Sequence, residues 1–344
     1  MNPILSYLMT LVVFFFIYNI LTWGLNIQFG AAGILNFAYI AFMAIGAYIA
    51  GTFALTKADG TAGQTYIFGF SLPFPIPILA GGLVSAAVGL LVGVIALKRL
   101  RSDYMAIVTI SVGAILYDII GNDFNIFNGW DGLGGVPSPL ENTLQNNFGL
   151  GYNDYQWFFL IMSGVIMTLM FLLIQAIIHS PFGRTLRAIR EDQDVSEAFG
   201  KDTFWYRMIA MAIGCFYAGV GGALLIEYVS AFNPSGWTTG ETFVLFAALI
   251  IGGRGNNWGA VLGAALVPII FQEATRYLQA TTLSQIPNGE TLIPALRNII
   301  VGALLILTLW FRPQGLIPER KAKFPKMALD EPENTQEEAD VAVG

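Results

Sequence analysis

Apolar runs of about twenty residues recur along this chain, each the length that crosses a bilayer as a helix, with short polar stretches between them. Spans are expected over residues 4–23, 30–55, 76–97, 104–120, 155–178, 205–226, 243–251, 258–278 and 292–310. The seventh is short and reads as a broken or partial crossing. The pattern predicts an all-α, polytopic helical bundle of about nine transmembrane helices, eight to ten by the fair range. Residues 1–318 make up the membrane domain, and residues 319–344 a cytoplasmic, disordered acidic tail. The first run has no basic n-region and no small-residue cleavage site, so it reads as a retained helix rather than a signal peptide.

One stretch breaks the apolar pattern. Residues 180–203, SPFGRTLRAIREDQDVSEAFGKDT, crowd together Arg184, Arg187, Arg190, Glu191, Asp192, Asp194, Glu197, Lys201 and Asp202. Flanked by two spans and too charged for hydrocarbon, it must sit at a membrane surface. Its arginines place that surface in the cytoplasm. Two short helices are expected. Pro181 suits the start of the first, which runs to Arg190 with Leu186 and Ile189 on its apolar side. Asp192 or Asp194 is placed to cap the second, Asp194 and Glu197 fit a capping box, and Gly200 is placed to end it. The segment reads either as a docking element for a cytoplasmic partner or as a solvated loop that only fixes topology.

Composition agrees with a membrane protein. Of 344 residues, 12% are charged, about half the share of a soluble domain. The net charge of −6 is local, because Asp330, Glu331, Glu333, Glu337, Glu338 and Asp340 account for it. With residues 98–103 set in the cytoplasm, alternate crossings put 180–204, 252–257 and the C-terminus inside, and 121–154, 228–240 and 279–291 outside. The inner loops then hold nearly all loop Lys and Arg, Lys57 excepted, which satisfies the positive-inside rule with an outer N-terminus. Small residues at four-residue spacing, Gly81, Ser85, Gly89 and Gly93, then Gly214, Ala218 and Gly222, then Gly259 and Gly263, predict close helix packing.

Enzyme motifs are missing. There is no HExxH, no GxSxG, no Cys/His cluster for a metal and no GxxxxGK[ST] loop for a nucleotide. Cys215, the single cysteine, lies in an apolar run. No basic patch interleaved with aromatics points to nucleic acid. The chain therefore reads as a non-enzyme with no metal and no cofactor of its own. What remains is polar residues inside or beside spans: Asn36 and Tyr39, with Asn26 and Gln28 just before them, then Asp118, Glu227, Gln272, Glu273 and Arg276. Asn36, Tyr39, Gln272 and Glu273 are the candidates for a translocation pathway, since such groups face the bundle interior or water far more than lipid. Two bland readings stand beside that one. Glu273 and Arg276, three apart, neutralise each other, and Asn36 serves helix packing.

Five stretches in order resemble the branched-chain amino acid ABC transporter permeases, most closely the LivM-type subunit. They are GLNIQFGAAGILNFAYIAFMAIGAY at 24–48, LRSDYMAIVT at 100–109, NGWDGLGGVP at 128–137, SPFGRTLRAIRED at 180–192 and ALIIGGRGNNWGAVLGA at 248–264. The resemblance implies a permease domain over 1–318 of an importer in the cell inner (plasma) membrane. Its expected partners are a LivH-type second permease, two cytoplasmic ATPase subunits that use the ATP, an extracytoplasmic substrate-binding protein and membrane lipid. It marks Arg184, Arg187, Arg190, Glu191, Asp192, Glu197 and Gly200 as the ATPase-coupling set. It also implies that Arg187→Ala or Glu191→Ala uncouples ATP hydrolysis from uptake. Neutral or branched-chain amino acids are the expected substrates. Urea or a short amide, or a stand-alone secondary carrier, are the alternatives.

Overall fold

The computed structural model describes residues 3–57, 66, 68–99, 102–149, 151–275 and 289–319. It is a helical bundle. Among the described residues six helices are long and apolar enough to cross a membrane, and the apolar helices Tyr39–Ala54 and Leu296–Phe311 are shorter. The chain runs through α1 (Pro3–Leu25), α2 (Tyr39–Ala54), α3 (Ile76–Arg99), α4 (Ser102–Asn122) and the short α5 (Glu141–Phe148). It continues through α6 (Tyr152–His179), α7 (Pro181–Glu191), α8 (Gln193–Ala198), α9 (Thr203–Val229), α10 (Thr239–Gly252), α11 (Asn257–Ala264) and α12 (Gly289–Phe311).

Helix α9 is the central post, with α1, α2 and α3 packed around it. The small-residue stripes make this possible, because without a hydrophobic drive in lipid helices associate by close backbone contact. A Cβ on Gly222 of α9 would lie 1.9 Å from the Met43 carbonyl oxygen of α2, so only glycine fits there. On α3, Ser85 donates to the Phe42 carbonyl at 2.8 Å. On α11, Gly259 and Gly263 lie against the backbone of α10 in the same way.

The first two expected spans need correction. Residues 4–23 and 30–55 were set apart by the polar Asn26 and Gln28, but α1 continues through both as a π-helical turn, Asn26–Ala31. The chain then leaves helical form over residues 32–38, and α2 starts only at Tyr39. This reversal is buried within protein: Ile34, Asn36 and Ala38 are at most 1% exposed. Irregular backbone at membrane depth survives only when protein satisfies its polar groups. Here one backbone carbonyl and two side chains do so. Ile34 N–H reaches the Gln28 carbonyl at 2.8 Å, Ala38 N–H the Asn36 Oδ1 at 3.1 Å and Phe37 N–H the Thr109 Oγ1 of α4 at 3.1 Å.

Other boundaries move by a few residues. The eighth span opens as α11, widens into a π-helical stretch, Ala265–Phe271, around Pro268, and is helical again through residue 275. Pro268 lacks the N–H that a regular helix needs, which accounts for the widening. The loop 121–154 is not featureless. It contains α5 and a strand, β1 (Leu133–Gly134), paired antiparallel with β2 (Ala231–Phe232) after α9. Aromatic contacts of Tyr117 with Trp130 and Trp237, and of Tyr48 with Phe127 and Phe232, brace this end of the bundle. The opposite end gathers α7, α8, the reversal at 32–38, the turn 253–256 and residues 312–319. The charged segment therefore shares its end with the described loops expected to lie inside, 252–257 and the residues after α12, and the acidic loop shares its end with residues 228–240.

Candidate functional site

The charged segment folds as two helices, as its pattern predicts. Ser180 caps α7, its Oγ accepting from Gly183 N–H at 3.4 Å, and Pro181 occupies the first turn. Gly183, Leu186 and Ile189, each three residues on from the last, are buried on one face of an amphipathic helix. The second cap is Asp192, whose Oδ1 accepts from Val195 N–H at 3.0 Å. Asp194 lies inside α8 and caps nothing, which corrects the expected capping box. Glu197 instead folds back: its carboxylate accepts from Gln193 Nε2 at 3.0 Å and from the Thr203 hydroxyl that opens α9. Those bonds, Thr203 first, hold the Glu197 carboxyl below its ordinary pKa. Gly200, at φ +76°, ends the pair as expected.

The three arginines take different places. Arg184 is exposed and donates to the His179 carbonyl at 3.3 Å. Arg187 is half-buried, donates to the Ile178 carbonyl at 3.4 Å and lies 3.7 Å from Glu319. Arg190 turns inward, with its side chain 18% exposed. Its Nη2 binds Glu319 at 2.9 Å and Glu191 at 2.8 Å, and its Nη1 donates to the Gly30 carbonyl in the π-helical turn. Burial pulls the guanidinium pKa down, but the hydrogen bonds from Glu191 and Glu319 outweigh it and hold the pKa above the ordinary value. The charge is therefore permanent. Gly33, at φ +66°, would set a Cβ 3.1 Å from Arg190 Cγ, so the reversal and this arginine fit only through glycine.

Glu319 is the residue that sequence reasoning missed. The sequence pattern sets it at the head of an acidic tail, whereas residues 316–319 run back along the bundle. Leu316 and Ile317 N–H donate to the Ile251 and Gly252 carbonyls at 2.8 and 2.9 Å, and Asn256 Nδ2 to the Pro318 carbonyl at 3.1 Å. Nothing in one-dimensional spacing pairs residue 319 with 190. Residues 320–344, the remainder of that tail, lie outside the described residues.

Next to Arg190 lies a chain of amides. Asn26 Oδ1 accepts from Gly255 N–H at 2.8 Å, and Asn26 Nδ2 donates to Asn257 Oδ1 at 2.9 Å. Gln28 Nε2 donates to the Met211 carbonyl of α9 at 3.0 Å, and Asn36 Nδ2 to Gln28 Oε1 at 3.1 Å. Tyr39 donates its hydroxyl to the Leu21 carbonyl at 2.8 Å. Asn36 and Tyr39 are thus fully enclosed in the packed interior beside the reversal. Gln272 and Glu273 lie elsewhere. Glu273 accepts from the Tyr7 hydroxyl at 2.7 Å, and Tyr7 is about 20 Å along α1 from Leu21, where Tyr39 binds. The four pathway candidates are two separate pairs. Arg276, the expected partner of Glu273, lies outside the described residues.

The face of α8 turned to solvent is apolar at its tip, with Val195 50% and Phe199 80% exposed. The segment thus presents an apolar tip outward while an inward arginine ties it to the α1 reversal, the 253–256 turn and residue 319. Six helices long and apolar enough to cross a membrane among the described residues, with two short charged helices bonded at one end to the break between α1 and α2, describe a polytopic membrane protein. The chain belongs to the family described as the permease component of the branched-chain amino acid transport system, whose pattern matches residues 7–309. It is 31% identical to the high-affinity branched-chain amino acid transport system permease protein LivM of Salmonella typhimurium over 318 residues, 88% of this chain and 68% of that one. It is 28% identical to the probable LivM permease of Methanocaldococcus jannaschii over 344 residues, 92% and 95% of the two chains. The probable LivH permease of the same organism is 25% identical over 304 residues, 86% and 87% of the two. No solved structure matches it at a significant level.

Proposed function

We propose that this chain is the LivM-type membrane subunit of an ABC importer for branched-chain and other neutral amino acids. It pairs with a LivH-type permease, two cytoplasmic ATPase subunits that consume the ATP, and an extracytoplasmic binding protein. It crosses the inner membrane nine times, counting α2, α10 and α12 as full crossings, with the N-terminus outside and α7–α8 in the cytoplasm. The observation that carries the coupling role is Arg190. Through it a movement of α7 pulls directly on the Gly30 carbonyl and on Glu319, so force applied to the surface reaches the reversal between α1 and α2. The exposed tip of α8, with Phe199 and Val195, is the contact an ATPase groove covers. ATP-driven closure of the two ATPases then alternates access to the pathway.

Purification of the chain from its native membrane in mild detergent tests this reading. The expected result is co-purification of an ATPase and a second permease, with leucine uptake dependent on ATP after reconstitution. Phe199→Asp, at an exposed position, should leave the chain folded and strip away the ATPase. A chain that transports alone without ATP, or a complex that moves urea and not leucine, overturns the proposal.

A further inference from the structure

At the end of the bundle remote from α7, a cavity of about 450 Å³ opens between the end of α2, the start of α3 and the loop that leads into α5. Glu227, near the end of α9, lines it. Its side chain is 2% exposed, and its Oε2 has no hydrogen-bond partner among the described residues. Ionising a carboxyl buried without a counter-ion costs several kcal/mol, a cost that a positive group brought beside it would offset. Among the described residues no Lys, Arg or His lines this cavity. Nearby Tyr155 does not serve Glu227, since its hydroxyl donates to the Pro139 carbonyl at 2.9 Å.

Among the walls, the Pro73 and Pro139 carbonyls already accept from Ile76 N–H at 3.1 Å and the Tyr155 hydroxyl at 2.9 Å, and Pro77 lies in the first turn of α3. Glu141, half-buried, adds a second carboxylate. Leu55 and Leu72 supply apolar surface, and Ser138 and Thr143 supply hydroxyl donors. An ammonium group carries three donors and no acceptor, which the carboxylates of Glu227 and Glu141 can satisfy.

We propose that this cavity receives a free amino acid by its α-ammonium group, with Glu227 as counter-ion, before the solute enters the pathway. The side chain lies against Leu55 and Leu72, and the carboxylate faces the hydroxyls of Ser138 and Thr143. The inference rests on the reading of the chain as an amino-acid permease.

The test uses the complete transporter in lipid nanodiscs, with binding of L-leucine, L-leucinamide, which keeps the ammonium, and N-acetyl-L-leucine, which lacks it. Leucinamide should compete with leucine, and N-acetylleucine should not. Glu227→Gln should weaken both ammonium ligands by ~10–100-fold, the range of one charge-assisted hydrogen bond. Thr143→Trp, at the exposed rim, should block the same ligands and decides the matter if Glu227→Gln does not fold. Unchanged binding in the folded variants, equal competition by N-acetylleucine, or displacement of leucine by calcium chloride overturns the site. So does a loss confined to docking of the binding protein, which would make Glu227 a contact for that protein's own cations. Leucine transport that persists with Glu227→Gln unaffected defeats this inference alone, whereas absence of any amino-acid transport defeats the permease reading beneath it.

Discussion

Arg190 shows why a charged residue in a surface segment is not automatically a contact for a partner. Its guanidinium fork joins three elements, and a lysine can supply the charge but not the fork. Arg190→Ala leaves Glu319 and the Gly30 carbonyl without their donor, at a cost of about 1.5–3 kcal/mol. In the reconstituted complex it should abolish most uptake while ATP hydrolysis continues, and Arg190→Lys should recover only part of the loss. Parallel loss of both activities would assign Arg190 to folding instead of transmission. Arg184, exposed and bonded only to a carbonyl next door, should tolerate alanine with little change in either activity.

At the scale of elements, the reversal between α1 and α2 depends on side chains that replace a helix's own hydrogen bonds. Thr109→Val removes the acceptor of Phe37 N–H at membrane depth and should destabilise the chain by about 1–3 kcal/mol, read as a lower melting temperature in detergent. Helix α8 rests on Glu197, whose carboxylate the Thr203 and Gln193 bonds favour in its charged form. A lowered pKa means that the contribution is present above the ordinary carboxylate range and is lost only as pH falls through the lowered value. Protection of the α8 amides from hydrogen exchange, measured relative to the intrinsic rate, should therefore persist through the ordinary carboxylate range and be lost only below it, and in Glu197→Gln that acid-dependent loss should vanish.

For the molecule as a whole, the packing of α2 and α3 on α9 sets tolerance to added bulk. Gly222→Leu would drive its side chain into the Met43 carbonyl and should prevent assembly of the bundle, seen as aggregation on size exclusion. Gly302 on α12 has no neighbour within 4 Å of a Cβ, so Gly302→Ala should be neutral or slightly stabilising in the same assay.

The sequence by itself determined the membrane class, most span positions, the two helices of residues 180–203 and the stop at Gly200. Each follows from local chemistry: apolar length, periodicity, a proline or a glycine. The tertiary structure alone decided where α1 and α2 part, because residues 30–38 are apolar apart from Asn36 and the break is held partly by Thr109 of α4, which the local sequence does not announce. It also chose Asp192 over Asp194 as cap, which depends on where the chain turns after α7. It turned Arg190 inward while Arg184 faces solvent, and it brought Glu319 back across the bundle to meet Arg190. Arg190 and Glu319 stand 129 positions apart and Thr109 and Phe37 72, and no periodicity along one segment records the partner that another segment supplies.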